Sequence, residues 1–388
     1  MQQKKLTACG VIAEYNPFHT GHAYQLKMAR IKTHADVLVV VMSGNFVQRG
    51  EIAIVDKYQR TAMALANGAD LVVELPFSNS VQPADLFAKG ALTILSALQC
   101  EHLAFGTEVA EINYQQLGFK LRQLPNRNDY FVDYRKTYAT QINEFFQNEL
   151  GLSFDQPNML LAASYARANA DLAMPLSLVP IQRVGVEHDS SVKTGKYQSA
   201  SALRNQLLAG VLPEALTAFL PQTSVFELKQ APKFLNWTNC FEFLKYRLLS
   251  TDLERLAKIY QINEGLEYRI LQHIRDCDSF TDFLHAIKTK RYTFARLQRV
   301  LTYILLGVTK SEMHLAKDFV HPLGFNECGR AYLNQVKKQI TLPIITRANS
   351  KNTKSDGLFY LQNRVDQFVE LLTHVSQNYG RQPIYIRR

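Results

Sequence analysis

The segment Asn16-Pro17-Phe18-His19-Thr20-Gly21-His22 follows the short apolar run Leu6–Ala13 and leads into a helix-like stretch. The start of a helix attracts phosphate, because its first backbone N–H groups are free and the positive end of its dipole lies there. Gly21 lets a nucleotide approach the backbone closely, and His19 and His22 can donate hydrogen bonds to phosphate oxygens. The segment predicts a nucleotide site at a strand–helix junction; the alternative is that the histidines merely cap the helix.

Strand-like and helix-like stretches alternate beyond this junction. Val37–Met42 is a Val-rich run typical of a strand buried on both faces. Leu71–Leu75 and His102–Phe105 predict two further strands, and Asp56 is suited to cap a helix between them. This β-α-β order predicts an α/β fold with an open parallel sheet and right-handed crossovers. Ligands bind such sheets at the carboxyl ends of the strands.

The pattern changes near residues 210–225, where glycine and prolines interrupt it. We predict two domains. Residues 1–215 form the α/β domain that contains the predicted nucleotide site, with a helical insertion at 110–150. Residues 216–388 form a basic, mostly helical domain without regular strands.

Charge is unevenly distributed between these two parts. The chain of 388 residues has a net charge of +10, yet residues 1–215 contain 19 basic and 19 acidic residues. Residues 216–388 contain 25 basic and 15 acidic residues and therefore carry the whole excess. A segregated positive charge favours a polyanionic partner such as RNA, although a surface that is simply basic remains the alternative.

Several classes of protein are excluded. No apolar run approaches the roughly 20 residues that span a bilayer, the N-terminus has no signal-peptide core, and no phosphate-binding GxxxxGK[ST] motif occurs. The five cysteines are widely spaced and form no CxxC pair, which argues against a disulfide framework or a zinc site. We expect a cytoplasmic protein.

Two more segments suit phosphate or substrate binding. Ser199-Ala200-Ser201-Ala202-Leu203-Arg204 places hydroxyls at a helix start and an arginine one turn later, although such serines are often only caps. The segment 43–50 follows the second strand and is either a ligand-contacting loop or a turn. Lys57 and Arg60 add two cations, either on a solvated helix face or in contact with substrate.

The segment 288–299 is the candidate RNA contact. Thr293 can cap a helix whose start is crowded with cations, an arrangement that opposes the helix dipole unless an anion binds there. Tyr292 and Phe294 could stack on bases or belong to the core. The predicted backbone-binding cations are Lys288, Lys290, Arg291, Arg296 and Arg299.

These segments together resemble the bacterial tRNA(Met) cytidine acetate ligase family. The resemblance covers residues 6–210 in order and continues into Lys288–Arg299. It rests on the strings AEYNPFHTGH (13–22), SGNFVQRG (43–50), DLVVELP (70–76), FGTE (105–108), PN (157–158), IQRVG (181–185) and SASALR (199–204).

The resemblance implies a Rossmann-like HxGH nucleotidyltransferase domain followed by a tRNA-binding domain. It implies that ATP with Mg²⁺ activates acetate as acetyl-adenylate and releases pyrophosphate. The acetyl group then passes to N4 of the wobble cytidine of elongator tRNA(Met). Neither a membrane nor an obligate protein partner is implied.

The resemblance also implies site residues. His19, His22 and Arg204 would be catalytic. The ATP contacts would be Ile12, Ala13, Glu14, Tyr15, Asn16, Pro17, Phe18, His19, Thr20, Gly21, His22, Ala23, Tyr24, Gln25, Gly106, Asn158, Arg183, Ser199 and Ser201. No carboxylate pair suggests a protein ligand for metal. His188 and Asp189 are candidates for a general base by position only, with a simple turn as the alternative.

Two other functions are consistent with parts of the pattern. One is a nucleotidyltransferase that moves AMP or CMP to a small phosphorylated acceptor, in which a charge of +10 confined to one half has no obvious use. The other is a non-catalytic RNA-binding protein with a relic nucleotide site. The intact His19, Gly21, His22 and Arg204 weigh against that second function.

Overall fold

The computed structural model describes residues 5–123, 147, 151, 157–183, 198–263 and 265–387. Within them a seven-stranded sheet has the order β5-β4-β1-β2-β3-β6-β7. The strands are β1 (Ala8–Ala13), β2 (Val37–Ser43), β3 (Leu71–Leu75), β4 (His102–Thr107), β5 (Ser177–Gln182), β6 (His321–Phe325) and β7 (Ile384–Tyr385).

Helices precede, separate and follow these strands. In the first half they are α1 (Thr20–Thr33), α2 (Lys57–Ala66), α3 (Phe77–Ser80), α4 (Ala84–Ala97), α5 (Tyr114–Arg122), α6 (Pro157–Ala170) and α7 (Ala200–Leu208). In the second half they are α8 (Gln222–Gln230), α9 (Trp237–Ser250), α10 (Leu253–Ala257), α11 (Leu266–Ile274), α12 (Phe280–Ile287), α13 (Phe294–Leu306), α14 (Lys310–Leu315), α15 (Glu327–Val336), α16 (Ser350–Thr353) and α17 (Tyr360–Thr373).

The predicted parallel sheet is confirmed for β1 to β4, and β5 extends it in parallel. β1 pairs in parallel with β2 and β4, β2 with β3, and β4 with β5. Every residue of β2 and β3 is buried, which explains why their sequences are continuous apolar runs rather than alternating ones. The carboxyl ends of β1, β2 and β4 therefore lie at one edge of the sheet, where the candidate residues follow them.

Helices cover both faces of the sheet. One face packs against α4, α5, α6 and α15, and the other packs against α1, α2, α7 and α8. A third apolar cluster joins α9 through α13 with α17 and takes in Phe46 and Phe77 from the first half. None of the described helices is both long and apolar enough to cross a membrane.

The second half also completes the sheet, which the sequence did not indicate. β6 pairs antiparallel with β3, and β7 adds to β6 in parallel. The expectation of a second half without regular strands is therefore wrong, because β6 is short and contains Pro322 and Gly324, two residues that mask a strand pattern. The boundary near 210–225 stays a prediction.

A buried network joins the sheet to the end of the chain. It consists of Lys57, Glu74, His321 and Asp366. The Lys57 ammonium lies 2.9 Å from Glu74 Oε1 and 2.6 Å from Asp366 Oδ2, and His321 Nδ1 lies 2.6 Å from Glu74 Oε2. Burial alone would raise the pKa of Glu74, but the Lys57 charge and the His321 hydrogen bond outweigh it and lower this pKa to about 2.

Arg60, one turn after Lys57, is also fully buried. It donates to the carbonyl oxygens of Val55, Glu14 and Ser43 at 3.2, 2.7 and 3.0 Å. Both alternatives for Lys57 and Arg60 are therefore wrong: these cations lie neither on a solvated helix face nor against a substrate. Arg60 holds the backbone carbonyls at the ends of β1 and β2 in place, whereas Lys57 pairs with buried carboxylates.

Candidate functional site

Residues 14–22, called the histidine junction below, connect β1 to α1. His19 is the N-cap of α1, and its Nδ1 accepts a hydrogen bond from Gly21 N at 3.0 Å. His22 Nδ1 accepts from His19 N at 3.3 Å. The two imidazoles thus form the reciprocal capping box that Ser/Thr and Glu/Gln usually make, and their rings stack 3.8 Å apart.

The first-turn amides of α1 are all occupied within the chain. Thr20 N donates to Phe219 O at 2.8 Å, Gly21 N donates to His19 Nδ1, and the amides of His22 and Ala23 donate to His19 O. The expectation of free backbone N–H groups for phosphate is therefore wrong. A bound anion would meet the helix dipole and the imidazoles instead.

The capping arrangement fixes which imidazole nitrogen carries the proton. Because each Nδ1 accepts a backbone hydrogen bond, each neutral ring carries its hydrogen on Nε2. Neither Nε2 has a hydrogen-bond partner among the described residues. Burial and the Arg183 charge lower the pKa of His19 to about 3, and burial together with the His19 and Arg183 charges lowers the pKa of His22 well below its ordinary value. Both rings are therefore neutral near pH 7 and offer N–H donors, so capping and phosphate donation are compatible roles.

Buried side chains of the junction support the imidazoles. Tyr15 and Phe18 are fully buried, and their ring centroids lie 4.9 and 5.5 Å from that of His22. Asn16 Oδ1 accepts from Ile54 N at 2.8 Å. The side chains of Tyr15 and Phe18 thus pack around His22 and hold its ring in place.

A second group of predicted residues meets at the ends of β4 and β5. Asn158 Nδ2 donates to Glu108 Oε1 at 2.5 Å, and Arg183 Nε lies 3.5 Å from the same oxygen. A Cβ built on Gly106 would lie 3.5 Å from Arg183 Cγ. The structure therefore brings Gly106, Asn158 and Arg183 together. The sequence did not assign the carboxylate of Glu108 a role, although its position directly after a strand was a signal.

The second phosphate-binding candidate also reaches the histidine junction. Ser199 caps α7 by accepting from Ala202 N at 3.2 Å, and its Oγ lies 3.2 Å from Ser201 Oγ. Arg204 donates to Asn16 O at 2.8 Å and to Glu51 Oε2 at 3.0 Å. Glu51 was not among the predicted site residues, and only its position just after the 43–50 loop could have suggested it.

Several buried polar atoms at these strand ends lack a hydrogen-bond partner among the described residues. Folded proteins rarely leave such atoms unsatisfied unless a ligand or water completes them. Among the described residues they include Tyr15 OH, Asn16 Nδ2, Thr20 Oγ1, Ser43 Oγ and Glu108 Oε2. This arrangement fits a large polar ligand such as a nucleotide.

The remaining predicted ATP contacts lie on the same segment. Ile12 and Pro17 are buried. The partly exposed residues are Ala13, Glu14, Thr20, Gly21, Ala23, Tyr24 and Gln25. The described ranges contain no group of three or more potential metal ligands. His188 and Asp189, the positional candidates for a general base, lie outside the described residues.

The predicted RNA contact is centred on the start of α13. Thr293 caps this helix as expected, accepting from Arg296 N at 3.2 Å. Lys290 and Arg291 are exposed, and Arg296 lies 4.6 Å from the ring centroid of Tyr292. Tyr292 is only 5% exposed and belongs to the core, which decides between its two alternatives.

Phe294 differs from Tyr292, because it is 41% exposed and available to stack on a base. The Lys288 ammonium lies 5.3 Å from its ring centroid. Arg269 is a further cation close to this segment, and the sequence did not indicate it. It donates to Ile287 O at 2.8 Å and to Ala286 O at 2.7 Å, at the end of α12.

Arg299 does not fit the predicted RNA contact. It is 7% exposed and lies on the face of α13 that packs against the 43–50 loop. A Cβ on Gly50 would lie 2.7 Å from Arg299 Cα, and Thr302 Oγ1 donates to Gly50 O at 2.6 Å. The helical spacing therefore turns Arg299 toward the first half of the chain, away from solvent.

The chain is similar to known proteins along nearly its whole length. The family model described as HIGH Nucleotidyl Transferase matches residues 6–382. A protein named tRNA(Met) cytidine acetate ligase from Latilactobacillus sakei subsp. sakei (strain 23K) is 48% identical over 379 residues, 97% of each chain. One of the same name from Lactobacillus gasseri is 46% identical, over 98% of this chain and 100% of that protein.

Solved structures show the same architecture. Thermotoga maritima TmcAL in its apo form superposes with a TM-score of 0.87 at 28% identity, covering 99% of this chain and 100% of the other. The same protein bound with alpha-thio ATP gives a TM-score of 0.85 at 26% identity, with the same coverage.

Proposed function

This chain belongs to the tRNA(Met) cytidine acetate ligases, within the HIGH nucleotidyltransferase family, and from this premise we propose how its residues divide the reaction. It is an ATP-dependent ligase that acetylates a cytidine of tRNA(Met). In our proposal acetate is the acyl source and is activated as acetyl-adenylate. The acetyl group then moves to N4 of the wobble cytidine of elongator tRNA(Met), and the reaction takes place in the cytoplasm.

The observation that carries the assignment of the site is the pair of Nε2–H donors in the histidine junction. In the first step an acetate oxygen attacks the α-phosphorus of ATP, and the bond to pyrophosphate breaks. Negative charge grows on the departing pyrophosphate, and N–H donors that are already in position stabilise it. Because the imidazoles are neutral, they do not first have to lose the strong hydration shell of a charged group. His19 and His22 are suited to this task because their rings are already held by the backbone of α1.

Two arginines contribute positive charge at the same strand ends. Arg183, whose charge lowers the pKa values of both histidines, faces the junction from β5. Arg204 is tied to the junction through Asn16 O. We assign the triphosphate to the space that these cations and the imidazoles share, with Gly106 and Asn158 beside the nucleoside.

Mg²⁺ would supply further neutralisation of the triphosphate. Because the described residues contain no cluster of carboxylate ligands, the phosphates themselves and water would supply most of its ligands. The unpartnered Glu108 Oε2 is the protein oxygen best suited to join them. The binding and orientation of ATP remain the task of the histidine junction.

We propose that three cations at the start of α13 bind the tRNA backbone: Lys290 and Arg291, which are exposed, and Arg296, which is half-buried. Lys290 and Arg291 precede the cap residue Thr293, and Arg296 lies in the first turn. Phosphate at this position would convert an unfavourable arrangement of charge and helix dipole into a favourable one.

The test is incubation of the protein with ATP, labelled acetate and total tRNA, followed by nucleoside analysis. We expect label in N4-acetylcytidine that depends on ATP and appears only in elongator tRNA(Met). Initiator tRNA is the matched control substrate. Absence of labelled N4-acetylcytidine, or label from acetate entering another nucleoside, would contradict the proposal.

A further inference from the structure

The acetyl transfer requires a proton acceptor. When the cytidine amine attacks the acetyl carbonyl, a C–N bond forms, the C–O bond to the phosphoryl group breaks, and AMP leaves with the electron pair. The nitrogen must then release one proton. This inference rests on the proposed function, because it concerns the second step of that reaction.

The histidines of the junction are unsuited to accept this proton. Each Nδ1 is already an acceptor for a backbone amide, and each Nε2 carries a hydrogen. Burial also opposes the charged form of both rings, as their lowered pKa values indicate. They act as donors to the nucleotide in both steps.

Carboxylates at the strand ends differ in how far they are already engaged. Glu51 is paired with Arg204 at 3.0 Å, and Glu108 is held by Asn158 and Arg183. Glu14, by contrast, forms no ion pair within 4 Å among the described residues. Its Oε1 accepts one backbone hydrogen bond, from Gln48 N at 3.0 Å.

Glu14 also has the required position. It is the first residue after β1, at the carboxyl edge of the sheet, and it directly precedes the nucleotide-binding segment. Its carbonyl is fixed by Arg60 at 2.7 Å. The side chain is thus attached to a rigid backbone and is only partly exposed.

We propose that Glu14 accepts the proton of the cytidine amine during acetyl transfer and then releases it to solvent. A carboxylate is also the group that recognises the N4 amino group of cytosine by accepting its hydrogen bond. The same side chain therefore orients the nucleophile and favours cytidine over uridine.

The surroundings of Glu14 suit a base that works near neutral pH. Burial raises its pKa, and the charge of Glu51 adds to this effect, whereas Gln48 N, Arg204 and Arg49 oppose it. Tyr165 of α6 and the Arg60 guanidinium also face it. A carboxyl group whose pKa lies above its ordinary range is a stronger base than an exposed one.

The experiment separates the two half-reactions. Acetate-dependent ATP–pyrophosphate exchange measures adenylate formation, and single-turnover transfer of acetyl to tRNA measures the second step. Glu14→Gln keeps the acceptor for Gln48 N, so the fold is expected to persist. We expect the ratio of the transfer rate to the exchange rate to fall about 100-fold. Glu111→Gln, which changes an exposed carboxylate beyond β4, is the control and should leave the ratio unchanged.

The pH profile provides a second readout. In the wild type the transfer rate should rise with pH as the Glu14 carboxyl loses its proton, and then level off. Glu14→Gln should lack this rise, and Glu14→Asp, which keeps the charge but withdraws it by one methylene, should retain it at a lower rate. Equal losses in exchange and transfer, or no loss in either, would overturn the role of Glu14. A wild-type protein without any exchange would instead contradict the proposed function.

Discussion

The buried network and the histidine junction both contact the 43–50 loop, yet they treat polar groups differently. In the network Lys57 meets Glu74 and Asp366 directly, and Asn45 of the loop donates to Asp366 Oδ1 at 2.8 Å. In the junction the inner nitrogens of His19 and His22 are occupied and the outer ones have no partner among the described residues. The network, whose charges are paired within the chain, therefore has a structural role. The junction, whose outer N–H donors have no partner among the described residues, is suited to bind a ligand.

The largest effect is expected from Lys57→Met, which tests the structural side of this comparison. Removal of the ammonium leaves two buried carboxylates without their cation, so the free energy of unfolding should fall by about 3–5 kcal/mol. Urea unfolding followed by circular dichroism would measure it. Lys258→Met, which removes an exposed pair with Glu254, should change stability by less than about 0.5 kcal/mol. Similar losses in both variants would contradict the structural role.

The next effect concerns the open donors. His22→Asn keeps an acceptor for His19 N, as Asn239 does for Asn236 at the start of α9, but removes the outer N–H. We expect acetate-dependent ATP–pyrophosphate exchange to fall about 100-fold or more, with tRNA affinity nearly unchanged. His314→Asn, at an exposed position, is the control. If His22→Asn loses exchange and tRNA affinity together, the division of labour between the two halves is wrong.

The cations at the start of α13 differ from both regions, because they are proposed to attract tRNA phosphates through electrostatic forces that salt screens. Replacing Lys290, Arg291 and Arg296 with glutamine should lower the slope of log affinity for tRNA against log salt by about 2–3. Filter binding at several salt concentrations would measure it. A triple variant at Lys337, Lys338 and Lys351, which are also exposed, controls for net charge. Equal changes in the two triple variants would remove the start of α13 from the interface.

The smallest effect is expected at the cap of α13. Thr293→Ala removes the acceptor for Arg296 N, and the free energy of unfolding should fall by about 1 kcal/mol. Thr293→Ser keeps a hydroxyl and should restore most of it. A loss above that of Lys57→Met would reverse the ranking that the comparison implies.

Local patterns predicted much of the fold. Val37–Met42 and Leu71–Leu75 agree with β2 and β3 to within one residue, because strands buried on both faces consist of apolar residues without interruption. The caps at Asp56 and Thr293 were also confirmed, because a cap depends only on neighbouring backbone amides.

Features that depend on distant partners were not predictable. Lys57 meets Asp366 across 309 residues of sequence, and nothing near Lys57 indicates that its ammonium is buried. β6 contains Pro322 and Gly324 and is a strand only because β3 is beside it. Single-sequence patterns report local preferences, whereas burial and ion pairing at these positions are decided by tertiary packing.

The candidate site lay between these extremes. The histidines were singled out because both lie in one short segment. The structure then showed that the first-turn amides expected to be free are hydrogen-bonded within the chain, one of them to His19 Nδ1. Glu108 and Glu51 were missed because a single carboxylate carries no local signature. Arg299 was assigned to the wrong face because the sequence did not show that the 43–50 loop covers that side of α13.

The late position of Asp366 and β6 in the chain has a consequence for biosynthesis. The first half emerges from the ribosome long before these residues do. During that interval Lys57 has no Asp366 carboxylate to pair with, and β3 has no β6 beside it. The nascent first half therefore exposes an unpaired edge at β3 until β6 has been synthesised, and the sheet gains its antiparallel neighbour only then.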